Sequence, residues 1–100
     1  MAVAEISVVP VGGGSASVSA KVARCLDVLD SMGLTYELNA MGTVVQGDVR
    51  DVLEAAARMH ESAFGDGIVR VLTTVKIDDR TDKPLTIRGK VDSVRRKRAA

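Results

Sequence analysis

Two short strand patterns joined by a tight turn occupy the middle of this 100-residue chain. Residues 35–40 alternate between apolar and polar side chains, as a strand with two different faces does. The pair Met41-Gly42 predicts the turn, and residues 43–46 predict the second strand of the hairpin. A hairpin at this position constrains the fold strongly, because it fixes two antiparallel neighbours between the two flanks of the chain.

Each flank of this hairpin carries one β-rich run and one helical pattern. Residues 3–11 and 68–77 predict strands, and the second of these is the most β-branched run of the chain. Residues 18–32 and 49–63 carry apolar side chains at helical spacing. The order β-α-β-β-α-β predicts an α+β, ferredoxin-like sandwich, in which two helices cover one face of a four-stranded antiparallel sheet.

Local signals predict where the two helices begin and end. Ser17 and Asp48 are the expected N-caps, because their short side-chain oxygens can accept from free backbone amides. Gly33 is expected to end the first helix in the left-handed conformation. On the first helix the spacing of the apolar residues places a set of charged residues on the opposite, polar side: Lys21, Arg24, Asp27 and Asp30.

The end of the chain differs in charge from the rest. Residues 1–82 carry seven basic and twelve acidic side chains, a balance of −5, whereas residues 83–100 carry seven basic side chains against one acidic, a balance of +6. Apolar residues at helical spacing predict a short C-terminal helix: Ile87, Val91 and Val94. We expect residues 1–94 to form a single domain and residues 95–100 to form a basic tail.

Composition limits the classes of protein to which the chain can belong. Hydrophobic residues make up 46% of the sequence and aromatic residues only 2%, so the core must be aliphatic. The single cysteine, Cys25, excludes an intrachain disulfide and favours a reducing, cytoplasmic location. Neither a signal peptide nor an apolar run of about 18 residues is present, so we expect no membrane association.

The last predicted strand is apolar or threonine-rich on both faces, although the helices cover only one face of such a sheet. A strand of this kind is usually covered on both sides. We therefore predict a homodimer or homotetramer that packs sheet against sheet. The alternative is a monomer whose own C-terminal helix folds back over the open face.

The sequence offers no catalytic or metal-binding constellation. Its one histidine, His60, and Cys25 lie far apart, so neither a transition-metal site nor a serine–histidine–aspartate triad is expected. The glycine-rich run at residues 12–17 lacks the third glycine and the lysine of nucleotide-binding loops. It is better interpreted as a flexible loop that borders a pocket.

Local patterns suggest two other functions. The run Val45-Gln46-Gly47-Asp48-Val49-Arg50 resembles the phosphate-binding loop of acylphosphatases, which are hydrolases of the same fold and size. Here the run follows the third strand instead of the first, and Asp48 would repel an anion. The basic tail could attract nucleic acid. Stacking on bases needs aromatic side chains, however, and Tyr36 and Phe64 alone offer no stacking platform.

Polar side chains on and beside the strands remain to be explained: Glu5, Ser7, Glu37, Asn39, Thr43, Gln46, Arg70 and Thr73. A carboxylate, a hydroxyl, an aromatic ring and a thioether together suit a small, flat heterocycle that is cationic or bears an amine. Alternatively, Glu5 and Glu37 are ordinary surface residues at the edge of the sheet. Composition and spacing alone favour this second interpretation.

Nearly the whole chain resembles the thiamine-binding, YkoF-like family of small ferredoxin-like proteins. The resemblance rests on residues 4–12, on Tyr36-Glu37-Leu38 followed by residues 41–47, on His60-Glu61, and on the runs that begin at Arg70 and at Lys90. Ala40 stands where the family often has proline. The resemblance implies a homo-oligomer that binds thiamine or its hydroxymethylpyrimidine part without catalysis and without a cofactor.

The polar residues that cluster on adjacent strands suggest a site for this ligand. Glu37 would meet the aminopyrimidine or the thiazolium charge, and Ser7 and Thr43 would form hydrogen bonds with the ring. Tyr36 and Met41 would pack on the ring, and Ser17 and the Gly12–Gly14 loop would border the pocket. The alternatives left open are an acylphosphatase-like hydrolase that uses Gln46, Gly47 and Arg50, and an oligomerisation module without a ligand.

Overall fold

The chain folds in the predicted order of strands and helices. A computed structural model describes residues 1–12 and 18–99. Its elements are β1 (Ala2–Pro10), α1 (Val18–Met32), β2 (Thr35–Asn39), β3 (Gly42–Gly47), α2 (Val49–Ser62), β4 (Val71–Asp79) and α3 (Ile87–Ala99). The predicted α+β, ferredoxin-like arrangement is therefore confirmed.

The four strands form one antiparallel sheet in the order β2-β3-β1-β4. Cross-strand pairing places one residue of each strand in a row across the sheet. In the central row Glu37 pairs with Val44, Val44 with Glu5, and Glu5 with Lys76. Because successive side chains point to opposite faces, this register fixes which residues of the four strands share a face.

One face of the sheet is buried under α1 and α2. Ile6 and Val45 of the sheet pack against Leu29 of α1 and Met59 of α2, and each of these side chains is at most 1% exposed. Burial of an aliphatic side chain of this size contributes about 1.5–3 kcal/mol. The core is aliphatic, as the scarcity of aromatic residues requires.

Lys21 departs from the expected pattern, because it lies on the buried side of α1. It is 3% exposed, and its ammonium group donates to the carbonyl oxygen of Gly65 and to Asp66 Oδ2, both at 3.3 Å. Its spacing of four from Cys25, and of eight from Leu29, places it on the same stripe of the helix as these core residues. Its amine is retained there because the loop after α2 supplies acceptors.

The predicted helix ends are observed wherever the structure describes them. Asp48 caps α2, since its side chain accepts a hydrogen bond from the backbone amide of Arg50 at 3.0 Å. Gly33 has φ = 68° and ends α1, with its amide bonded to the carbonyl oxygen of Asp30 at 3.1 Å. Ser17 lies outside the described residues.

The last strand and the last helix differ in extent from the sequence pattern. β4 begins at Val71 because Gly65, Asp66 and Gly67 adopt positive φ angles and form a loop. Ile68, expected within the strand, is 4% exposed and bridges back to Gly65, so it packs into the core from this loop. The short C-terminal helix is longer than expected and includes the basic residues up to Arg98.

The other face of the sheet is covered only at one end, by α3. The first backbone amide of α3, that of Ile87, donates to Gln46 Oε1 at 2.9 Å, and Lys90 forms an ion pair with Asp78 at 2.7 Å. Towards the other end of this face the apolar side chains of Val9 and Leu72 are 43% and 60% exposed. We call this face, which carries Glu5, Ser7, Val9, Val44, Leu72 and Thr74, the open face.

Candidate ligand-binding cavity

A cavity of about 250 Å³ lies at the end of the sheet, between the second half of β1, the β2–β3 turn and α1. The pleat and register of the sheet bring these segments together, because Ile6 pairs with Thr43 and Asn39 with Gly42. The walls are mainly aliphatic or contain sulfur: Ile6, Val8, Val9, Val18, Val22, Cys25, Leu38, Met41 and Met59.

Three polar residues border the cavity: Ser7, Asn39 and Thr43. The side chain of Thr43 lies on the same face of the sheet as Ile6, whereas strand alternation directs the side chains of Ser7 and Asn39 to the open face. Thr43 is only 3% exposed and Ser7 is half-buried, whereas Asn39 is exposed at the rim. A hydroxyl group can donate one hydrogen bond and accept others, and an amide can do both. The cavity can therefore accommodate a flat apolar ring whose edge carries a few hydrogen-bonding groups.

Sulfur atoms border the cavity at its rim and in its depth. Met41 is 84% exposed at the turn, whereas Cys25 and Met59 are 3% and 1% exposed. The Cys25 thiol donates to the carbonyl oxygen of Met59 at 3.6 Å, and burial raises the pKa of this thiol. Cys25 is therefore a neutral, polarisable wall residue and not a nucleophile.

Gly42 allows the strands to approach closely at the rim of the cavity. A Cβ atom at this position would lie 3.2 Å from Cγ of Glu5 and 3.3 Å from the carbonyl oxygen of Ile6. The lack of a side chain therefore leaves room for Glu5, which lies on the open face beside the rim. This brings a carboxylate near the cavity without placing it on the wall.

A second concavity, of about 610 Å³, lies between β2 and α3 and is called here the groove. Its lining includes two of the predicted site residues, Tyr36 and Glu37. The Tyr36 hydroxyl donates to Asp30 Oδ1 at 2.8 Å, and this hydrogen bond raises the pKa of Tyr36. Its hydroxyl is therefore held by α1.

The structure divides the predicted site residues between these two places. Ser7, Met41 and Thr43 line the cavity, whereas Tyr36 and Glu37 line the groove. Glu37 pairs across the sheet with Val44 on the open face. Because Thr43 is the neighbour of Val44 on β3, the side chains of Glu37 and Thr43 point to opposite faces of the sheet. Gly12 is exposed, with φ = 72°, and does not line the cavity; Ser17, Gly13 and Gly14 lie outside the described residues.

The sequence pattern marks Asn39 as a polar strand residue but does not assign it to the site. The alternation of β2 puts Asn39 on the same face as Glu37, and only the pairing of Asn39 with Gly42 shows that it reaches the rim. The groove residues Arg88 and Arg95 were counted only as part of the basic end. No local sequence signal would have linked them to β2.

The loop that resembles acylphosphatases is engaged in structural contacts. Gln46 accepts from the first amide of α3, and the Asp48 carboxylate occupies the start of α2 by accepting from the Arg50 amide. Arg50 is exposed. A carboxylate at the helix start opposes the binding of an anion at that point, so the geometry does not favour phosphate chemistry in this loop.

The described part of the chain offers neither a metal-binding cluster nor a membrane-spanning helix. Within residues 1–12 and 18–99, no cluster of three or more His, Cys, Asp or Glu side chains could hold a metal ion. None of the helices in this part of the chain has the length and apolar character needed to cross a membrane.

Fold and cavity define a small, ferredoxin-like α+β domain with a concave site at one end of its sheet. The family model described as thiamine-binding protein matches residues 4–95. The chain therefore belongs to the thiamine-binding protein family, and the resemblance found in the sequence is confirmed.

Relatives of similar length support this assignment. A UPF0045 protein from Methanothermobacter thermautotrophicus is 40% identical over 98 residues, which cover 97% of this chain and 99% of the relative. The UPF0045 protein YqgV from Bacillus subtilis is 36% identical over 98 residues and 94% of each chain.

Solved structures show the same fold. A hypothetical protein from Methanocaldococcus jannaschii superimposes with a TM-score of 0.83 at 39% identity, covering 93% of this chain and 94% of the other. A protein from Thermotoga maritima, described as a candidate for thiamine biosynthesis or salvage, has a TM-score of 0.77 at 20% identity and covers 93% of this chain and 97% of its own. At that identity the similarity concerns the fold alone.

Proposed function

We propose that this protein binds thiamine, or its hydroxymethylpyrimidine part, in the cavity and does not transform it. The observation that carries the proposal is the cavity of about 250 Å³, whose apolar walls include the buried Thr43. Membership of the thiamine-binding family supports the choice of ligand. The description of the Thermotoga maritima protein points to the same area of metabolism.

Each polar wall residue has a role that follows from its chemistry. Thr43 would donate to or accept from the ring nitrogens and the amino group of the pyrimidine, and the side chains of Ser7 and Asn39 would meet the ligand only at the rim. Met41 would cover the exposed side of the ring, since its unbranched thioether adapts to the shape of a ligand. Glu5 beside the rim would favour a cationic ligand through its charge.

The composition of the cavity wall supports binding without catalysis. The lining contains no Asp, Glu, His, Lys or Arg among the described residues, and its one titratable side chain is the Cys25 thiol, whose pKa is raised by burial. General acid–base and nucleophilic catalysis both need a positioned group with a pKa suited to the reaction. This wall is better suited to holding a ring than to changing it.

Titration calorimetry with thiamine tests the ligand and the site together. Thr43→Val keeps the shape of the side chain and removes the hydroxyl group, so we expect affinity to fall about three- to tenfold, as for the loss of one neutral hydrogen bond. Thr81→Val is the matched control, because Thr81 is exposed in the loop after β4 and lies outside the cavity lining. Its affinity should stay within about twofold of the wild type.

Two results would contradict this proposal in different ways. If the wild type does not bind thiamine or hydroxymethylpyrimidine at millimolar concentration, the ligand is wrong. If Thr43→Val binds as tightly as Thr81→Val, the cavity is the wrong site. Glu37→Gln adds a third comparison. Loss of thiamine binding in that variant would indicate that the ligand binds beside Glu37 and not in the cavity.

We also propose that the protein acts as a cytoplasmic homo-oligomer in which two open faces pack together. The exposed apolar side chains Val9 and Leu72 support this arrangement, since α3 leaves that end of the sheet uncovered. The charges of the central row also suit a two-fold contact, because Lys76 of one copy can pair with Glu5 of the other. A single, buried cysteine agrees with a reducing compartment.

A further inference from the structure

We propose that the groove between β2 and α3 is a second ligand site, which takes a zwitterionic small molecule with a phosphate group at one end and a cationic group at the other. This site differs from the cavity in position and in chemistry. The inference does not depend on thiamine as the ligand of the cavity.

The groove has two walls that belong to different elements. The sheet wall consists of Thr35, Tyr36, Glu37 and Gln46; the helix wall and the turn before it supply Thr86, Ile87, Arg88, Val91, Asp92 and Arg95. The hydrogen bond from the Ile87 amide to Gln46 Oε1, at 2.9 Å, joins the two walls at one point. A volume of about 610 Å³ is within the range of sites for small organic molecules and is larger than an inorganic ion needs.

The charged side chains of the groove are left without ion-pair partners. Among the described residues, the ion pairs involve Lys21, Arg24, Arg58, Arg80 and Lys90 with their acidic partners. None of these pairs includes Glu37, Arg88 or Arg95. Neighbouring charges on α3 and β4 do pair, as Lys90 does with Asp78 at 2.7 Å. Opposite charges therefore face each other across the groove without closing it.

The spacing of the two arginines suits one phosphate group. Arg88 and Arg95 are seven residues apart, which is nearly two helical turns, or about 10.5 Å along the axis. Both line the groove, so their long side chains can reach the same point above Val91. Guanidinium groups bind phosphate oxygens in a bidentate manner, and two of them can neutralise a dianion.

The remaining charges favour a zwitterion over a simple anion. Asp92 lies between the two arginines on α3 and offsets one of their charges, so the helix wall has a net charge of +1. Glu37 gives the sheet wall a charge of −1. A ligand with a phosphate towards α3 and a cation towards β2 would match both walls, whereas inorganic phosphate would be repelled by Glu37 and Asp92.

Phosphocholine is a suitable probe because it combines a phosphate monoester with a quaternary ammonium group and contains no pyrimidine. Binding to the ¹⁵N-labelled wild type is followed in ¹H–¹⁵N correlation spectra, with choline and inorganic phosphate as probes that carry one charged end each. We expect phosphocholine to bind at least about tenfold more tightly than either of them and to shift the amide resonances of the groove and not those of the cavity.

Charge-matched variants separate a site in the groove from the general attraction of a basic helix. The double variant Arg88→Ala/Arg95→Ala should weaken phosphocholine binding at least about tenfold. Arg96→Ala/Arg98→Ala removes the same charge from the same helix outside the groove lining, and it should change affinity less than about threefold. Glu37→Gln should reduce the preference for phosphocholine over inorganic phosphate.

Three outcomes would overturn the inference: equal affinity for phosphocholine and inorganic phosphate, equal losses in the two double variants, or shifts confined to the cavity. Each outcome can be distinguished from a failure of the thiamine proposal, because that proposal is tested with a different ligand and with Thr43→Val. Binding of phosphocholine in the groove by a protein that does not bind thiamine would support the groove and reject only the cavity ligand.

Discussion

At the scale of single residues, the loop after α2 shows how a buried charge is stabilised by a specific partner. Asp66 accepts from Arg24 at 2.8 Å and from the buried Lys21 at 3.3 Å, and these hydrogen bonds lower the pKa of the Asp66 carboxyl group. Asp66 also adopts φ = 54°, a left-handed conformation that aspartate tolerates better than most residues. The loop after α2 is thus tied to α1, and a buried amine is satisfied.

The pKa of Tyr36 can be measured directly by absorbance, because Tyr36 is the only tyrosine and the chain has no tryptophan. Its hydrogen bond to Asp30 is the largest cause of its raised pKa, and charge interactions with Asp30 and Asp27 add to it. We expect Asp30→Asn to lower the Tyr36 pKa more than Asp27→Asn does, as followed by the ultraviolet absorbance of the phenolate during an alkaline titration.

The same contact predicts the direction of a change in stability with pH. A tyrosine whose pKa is higher in the folded than in the unfolded state contributes stability that is present below its unfolded pKa and is lost as pH rises through the folded pKa. The unfolding temperature of the wild type should therefore fall above pH 10, the ordinary pKa, more steeply than that of Asp30→Asn. Identical Tyr36 titrations in wild type and Asp30→Asn would show that the hydrogen bond is absent.

At the scale of elements, α3 is held by few contacts. It has no buried residue, and it meets the sheet through the Ile87–Gln46 hydrogen bond and the Lys90–Asp78 ion pair. The ion pair is half-exposed and is worth at most about 1 kcal/mol. We therefore consider the capping contact from Gln46 to be the more important of the two.

Gln46→Leu keeps the bulk of the side chain and removes the acceptor for the Ile87 amide. We expect the amides of α3 to exchange faster, by a factor that corresponds to about 0.5–1.5 kcal/mol of local stability, while exchange in β1 is unchanged. Lys90→Met is the comparison variant and should have a smaller effect. Unchanged exchange in α3 of Gln46→Leu, measured by mass spectrometry or NMR, would contradict this assignment.

The elements could be predicted from the sequence because their periodicity is local, whereas the site depends on register, which is not. The alternation of β2 already placed Tyr36 and Glu37 on opposite faces, but it did not show which residues of β1 and β3 meet at the cavity. The pairing of Ile6 with Thr43 puts these two side chains on the cavity wall and directs the side chain of Ser7 to the open face. The groove brings together residues about 50 positions apart, and Lys21 is buried because of a loop more than 40 residues away.

At the scale of the molecule, the isolated chain is elongated. Its radius of gyration is 15.0 Å and its extents are 51 × 28 × 19 Å, whereas a compact domain of 100 residues has a radius of gyration of about 13 Å. An elongated small domain leaves a large share of its surface in water. The open face, with Leu72 60% exposed and Val9 43% exposed, offers apolar surface that a second copy could bury.

We expect light scattering after size exclusion to give the mass of a dimer or tetramer for the wild type. Leu72→Asp would place a charge in the contact between two open faces and should weaken association by about a hundredfold, so that the variant elutes as a monomer. Leu53→Asp is the matched control, because Leu53 is 50% exposed on α2, on the helical side of the molecule. A monomeric wild type would reject the oligomer, and dissociation by Leu53→Asp but not by Leu72→Asp would place the contact on the helices.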